Sequence, residues 1–164
     1  MDTPFVYDNP VTGKNFVGRK TECNVLANLL AAGENVCLYE SPKEGKMSLV
    51  QQSLYNMRAS GKLFMVAYVD VFNVRTVRDF LKKFGAAVIR AAYSVPSDYA
   101  AVISRYLADT HFVFDAAQFA SKGDIVCMNW DADSNDMLAM MNLPQMVAQE
   151  KGLPFYVILK DFQN

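Results

Sequence analysis

The sequence predicts an α/β fold, a mostly parallel sheet covered by helices, and three observations carry that expectation. Short, near-continuous apolar runs ("NVCLY", "KLFMVAYVDVF", "LPFYVILK") alternate with longer stretches of helical period. Strands of a parallel sheet, buried on both faces, read as such runs, and crossover helices separate them. At 164 residues and 52% hydrophobic content, the chain is long enough for a single domain with a real core.

The elements follow in order. Residues 1–19, rich in Asn, Pro, Gly and aromatics, predict an ordered arm. From Arg19 the pattern turns helical: Cys23, Leu26, Leu29 and Leu30 share a stripe that stops at Gly33. "NVCLY" predicts a short buried strand at Val36–Tyr39, and Lys46 to Ala59 a helix ended by Gly61. A second strand is expected at Phe64–Asp70, then a helix from Thr76 to Ala92 with Val77, Phe80, Leu81, Phe84, Val88 and Ile89 inward. Ser97 or Asp98 is the expected N-cap of the next helix. His111 to Gly123 suggests a short helix, and Ile125–Met128 a strand that joins the same sheet. "SNDMLAMMNLPQMVAQEKG" reads as a helix that Pro144 disturbs or restarts, and Phe155–Lys160 as the last strand.

Composition excludes more than it suggests. The formal net charge is −1 with 20% charged residues, so no global field favours nucleic acid. The first residues lack a basic start followed by an apolar run, so no secretory leader is expected, and no run approaches the roughly 18 apolar residues that span a bilayer. A cytoplasmic protein with no membrane role is the expectation. Cys23, Cys37 and Cys127 are far apart and His111 is the only histidine, so no metal site is expected. Cys37 and Cys127 sit in apolar stretches and read as buried; the nine methionines read chiefly as core filling. His111, Trp130 and Tyr39 read as structural.

The segment with chemistry is "YESPKEGKMSL", Tyr39 to Leu49, placed between an expected strand and an expected helix. A phosphate loop reads G-x-x-x-x-G-K-[ST] in that context, because N–H groups at a helix start and the helix dipole attract anions. Gly45 and Lys46 match. Glu40 stands where the first glycine belongs, and Met47 where the hydroxyl belongs. Nucleotide contacts, if formed, fall on Glu40, Ser41, Pro42, Lys43, Glu44, Gly45, Lys46, Met47 and Ser48, with Gly18 and Arg19 nearby in the arm.

On these residues the chain resembles the bacterial branch of the archaeal-type P-loop ATPase family, part of the wider AAA-like ATPases. The Asn-Pro-Val arm is followed by Phe16, Val17, Gly18 and Arg19, with Glu22 three residues on. "AYVDVF" with "VRTVRDFLKKF" resembles the family's second strand and next helix. "NLPQMVAQEKGLPFYVILKDFQN" resembles its Leu-Pro helix and Walker B strand, which usually ends Asp-Glu-Phe-Gln. The likeness spans nearly the whole chain and is weakest from Tyr93 to Gly123.

The resemblance implies ATP, Mg²⁺ held by the loop hydroxyl and the Walker B aspartate, and a glutamate that orients water. The site departs from this at every point. Lys160 falls at the aspartate position and Asp161 at the glutamate position; a register shift by one puts Phe162 at the latter. Ser48 is one helical step from the hydroxyl position, turned by about 100°, and should not substitute. Glu40 brings a carboxylate toward the phosphates, and Lys160 either pairs with it or points to solvent. No catalytic residue, weak ATP binding at most, and no Mg²⁺ are therefore expected.

In the family, the strand after Walker B lies between the Walker B strand and the phosphate-loop strand, and this sequence ends before it. Three outcomes follow: Phe155–Lys160 pairs directly with Val36–Tyr39, a partner chain or second copy fills the gap, or the sequence is part of a longer protein. Three functions remain open. The first is a degenerate ATPase-like domain, a protein-interaction module or weak phosphate binder. The second is an ATPase whose altered site is completed in trans, and the third a folded remnant without a role.

Overall fold

The computed structural model describes residues 9–41, 43–115, 118 and 123–162. The chain divides into two compact units, Met1–Leu63 and Phe64–Asn164.

The first unit is helical. A 3-10 turn at Gly13–Asn15 precedes α1 (Lys20–Ala31) and α2 (Lys46–Ala59), which pack together. Cys23 and Leu26 of α1 are buried, as are Leu49, Val50, Leu54 and Met57 of α2. Gly33 stops α1 by adopting φ +80, which sends the Glu34 N–H back to the Leu29 carbonyl (3.0 Å) and its own to Leu30 (3.0 Å). The arm is tied to α2: the Val11 N–H donates to Ser48 Oγ (3.0 Å) and the Gly13 N–H to Gln52 Oε1 (2.6 Å).

The expected strand at Val36–Tyr39 does not form. Residues 34–40 have no regular structure, Cys37 is exposed, and Tyr39 is 84% exposed. An apolar run becomes a strand only where a neighbouring strand completes its hydrogen-bond ladder, and among the described residues no strand pairs with this one. Leu29 is likewise exposed at the edge of the α1 stripe.

The second unit is α/β. Its elements are β1 (Met65–Asp70), α3 (Val77–Ala92), α4 (Pro96–Tyr106), β2 (Phe112–Phe114), β3 (Val126–Met128), α5 (Ser134–Lys151) and β4 (Phe155–Lys160). β1 and β4 pair in parallel, in register from Met65↔Phe155 to Asp70↔Lys160. β3 does not extend that sheet; it pairs antiparallel with β2, Phe112↔Met128 to Phe114↔Val126. The direct pairing expected between Phe155–Lys160 and Val36–Tyr39 does not form; β4 pairs instead with β1, an apolar run long enough to hold six register partners.

The core joins α3 and α5 to the strands. Leu81, Phe84, Val88 and Ile89 from α3, Met140, Leu143 and Val147 from α5, Ala67 and Val69 from β1, and Val126 from β3 form one buried cluster. Val77 at the start of α3 is exposed instead, because the first turn runs ahead of the packed face. Gly85 lets α3 approach α5: a Cβ there would lie 2.7 Å from Met140 Sδ and 2.7 Å from Cε.

Several local expectations shift. The N-cap of α4 is Val95, not Ser97 or Asp98, because Pro96 takes the first helical position, which its fixed φ and missing N–H suit. α5 runs through Pro144 unbroken; the ring removes one backbone donor, while Met140, Leu143 and Val147 hold the turns around it by burial. Of the expected short helix from His111 to Gly123, residues 112–114 are strand, and residues 116–117 and 119–122 lie outside the described residues. Met140 is fully buried, but Met137, Met141 and Met146 are exposed on α5. Cys127 is half-buried and Cys23 is the buried thiol. Among the described residues, no helix is long and apolar enough to cross a membrane.

Candidate functional site

The loop from Glu40 to Gly45 enters α2 with Gly45 at φ +81 as the N-cap, and no side chain caps the helix. The first N–H groups of a helix lack partners within it, so this end favours anions. Lys46 folds back onto the loop, its ammonium donating to the Glu40 carbonyl at 2.7 Å and the Ser41 carbonyl at 3.1 Å.

Arg19 reaches the same loop from the start of α1. Its backbone is left-handed, at φ 52, a conformation few non-glycine residues adopt. Its guanidinium grips the Glu40 carboxylate with two nitrogens: Nη1 donates to Oε2 at 3.1 Å and Nη2 to Oε1. Nη1 also donates to the Glu44 carbonyl (3.1 Å), and Nε to Glu22 Oε1 (3.4 Å). The Glu40 hydrogen bond, opposed in part by desolvation, holds the guanidinium above its ordinary value.

Gly18, Arg19, Glu40, Ser41, Lys43, Glu44, Gly45, Lys46, Met47 and Ser48 are therefore grouped in the first unit, while Pro42 lies outside the described residues. Lys43 is left-handed, with φ 66. Met47 is half-buried, and Ser48 Oγ accepts the arm's Val11 N–H. Lys160 and Asp161 belong to the second unit. Lys160 pairs with Asp70 at 3.7 Å, its register neighbour on β1, and Asp161 turns the chain at φ 57. Of the two expectations for Lys160, pairing with Glu40 or facing solvent, neither describes its partner: within its own unit it pairs with Asp70, and within the first unit Glu40 pairs with Arg19.

Beside the Arg19–Glu40 pair lies a cleft of about 270 Å³, walled by Val25, Leu26, Leu29, Val36, Leu38 and Leu49. Its aliphatic slot is rimmed by Arg19, Glu22 and Glu40, one cation between two acids, and suits a ligand with a flat apolar part. Sequence reasoning missed the cleft; its signal was the pair Val25 and Leu29, apolar and one turn apart on a face that α2 does not cover.

A second cluster, His111, Asp133 and Asp136, has potential ligand atoms within 4.8 Å of one another. Its bonds belong to the fold. Asp136 is fully buried at the third position of α5; Oδ1 accepts the His111 N–H (2.9 Å), and Oδ2 faces His111 Nδ1 (2.9 Å) and accepts the Asp133 N–H (3.0 Å). Asp133 returns the bond by accepting the Asp136 N–H (2.8 Å), a capping box with aspartate in the glutamate's place. A cation bound here would have to displace those donors.

The cluster makes stability depend on pH. The hydrogen bond to Asp136, and then its charge, hold His111 above its ordinary value of 6.5. Burial pushes Asp136 up, but the His111 N–H and ring and the Asp133 N–H more than offset it, so its pKa falls below the ordinary value. The histidine contribution is complete below its ordinary value and fades as pH rises through the raised one; the aspartate contribution is lost on acidification through the lowered one. The second unit is expected to resist urea better at about pH 6 than at about pH 8.5, and His111→Ala should flatten that difference. An unchanged slope in the variant would assign the pH dependence to other groups.

No family model matches the chain, and no curated protein or solved structure matches it either.

Proposed function

We propose that this chain is a degenerate relative of the archaeal-type P-loop ATPases that holds phosphate groups weakly and does not hydrolyse ATP. The observation that carries this reading is the closure of Lys46 onto the Glu40 and Ser41 carbonyls at the start of α2. Two of the three Lys46 N–H donors are already spent on the loop, so a phosphate meets one remaining donor or must displace a carbonyl, and the anion gains little net energy. The cleft beside Arg19 supports a nucleotide over a bare anion, since its aliphatic walls can cover a base.

Turnover needs a metal, and the loop offers it poor anchors. Met47 has no side-chain oxygen, and Ser48 Oγ takes the Val11 N–H. Without Mg²⁺ the developing charge on a transferred phosphoryl group has no clamp. The remaining role is that of a binding or protein-interaction module.

Incubation with Mg-ATP is expected to release no phosphate above background, and Met47→Thr alone should not restore release. Calorimetry should give ATP affinity of tens of micromolar or weaker, since losing one charge-assisted contact costs about 1.5–3 kcal/mol. Lys46→Ala should weaken it further. Steady turnover that vanishes in Lys46→Ala would overturn the proposal and favour an ATPase completed in trans.

A further inference from the structure

We propose that Glu40 is the loop's own anion: it occupies Arg19 with its carboxylate and Lys46 with its carbonyl, and so gates the entry of an external phosphate. This rests on the phosphate-binding reading of the loop and adds a regulatory residue to it.

The geometry singles out Glu40 among the described acids of the unit. Its carboxylate takes the guanidinium in a two-nitrogen grip, the arrangement in which arginine also binds phosphate. Its carbonyl takes the Lys46 ammonium at 2.7 Å. Glu22 meets only Arg19 Nε, at 3.4 Å, and Glu44 offers Arg19 a backbone carbonyl. One residue thus engages both cations, at the position where a phosphate loop carries a glycine with no side chain to intrude.

The strength of the contact fits a gate rather than a plug. The Arg19 and Glu40 side chains are 28% and 31% exposed, so solvent screens the pair and its net worth is modest. A phosphate brings more charge and more acceptor oxygens than one carboxylate, so it can displace Glu40 from Arg19 at sufficient concentration. Removing the carboxylate charge then removes the competitor while leaving both cations in place. The difference should appear as affinity, without change of fold.

The test is calorimetric titration of the full chain with inorganic phosphate, and separately with pyrophosphate, in metal-free buffer. Glu40→Gln keeps the side-chain shape and is expected to bind about threefold to fivefold more tightly than the unmutated chain. Glu40→Gly should do the same. The double variant Arg19→Gln/Glu40→Gln should lose the gain, because Arg19 is the group released. Glu34→Gln, the same charge change past the end of α1, serves as control and should not tighten binding.

If the unmutated chain binds weakly through Lys46 and Glu40→Gln binds no better, the gate is overturned while the phosphate site stands. If no form binds and Lys46→Ala changes nothing, both fail. A second measurement needs no variant at residue 40: the Arg19 guanidinium NMR signal of the unmutated chain must move as phosphate saturates it. A signal that stays put while phosphate binds overturns the gate.

Discussion

Asp136→Ala is expected to destabilise the second unit by about 3–5 kcal/mol, the cost of breaking a buried charged network. The carboxylate is fully buried and answers three groups at once: the His111 N–H, the His111 ring and the Asp133 N–H. Alanine leaves two backbone donors without their acceptor and takes the negative charge from the start of α5. The loss reaches β2 as well, since His111 is the residue that leads into it. Asp136→Asn keeps one oxygen but turns an amide donor toward other donors, so it should recover only part of the loss. Urea unfolding of both variants gives the comparison. A cost below about 1 kcal/mol for alanine would mean that solvent already satisfies those donors.

The second large effect is expected at Gly85. Leucine there should cost about 3 kcal/mol or more, beyond the roughly 1 kcal/mol it gains as a better helix former. The reason is contact: a Cβ would sit 2.7 Å from the Met140 sulfur, with Val126 Cγ2 at 3.6 Å behind it. The Met140 side chain is fully buried, so its flexible end has little room to withdraw. Met140→Ala alone should cost about 2–5 kcal/mol by leaving a cavity. Together, Gly85→Leu and Met140→Ala exchange volume across one contact, and the pair should cost clearly less than the sum. Strict additivity would show that α3 and α5 do not meet there in solution.

What the sequence made legible was whatever local pattern alone determines. α2 begins and ends where Lys46, Ala59 and Gly61 place it, and β4 spans the same six residues that its apolar run marks. Strand partnership was less legible, because a ladder depends on residues far apart in the chain. "NVCLY" and "DIVCMNW" look alike as short apolar runs, yet the first forms no strand and the second contains β3, which pairs with the three residues of β2. At the candidate site, Gly45 and Lys46 marked the start of α2. The grip of Arg19 on Glu40 could not be read, since it requires a left-handed Arg19 and a contact across 21 positions. The capping box at α5 was hidden by a letter: aspartate replaces the longer acid that usually signals it.

The division of the chain at Leu63 decides what an unfolding experiment sees. Trp130 is the only tryptophan and lies in the second unit, where its 69% exposure makes its fluorescence report mainly on local structure there. Helical circular dichroism draws on both units, from α1 and α2 as well as α3, α4 and α5. Cys23, on the buried face of α1, reports on the first unit through its reaction with a thiol reagent, after exposed Cys37 and separately from half-buried Cys127. Three probes therefore weight the two units differently. Coincident midpoints would mark one cooperative transition, and separated midpoints would give each unit a free energy of its own.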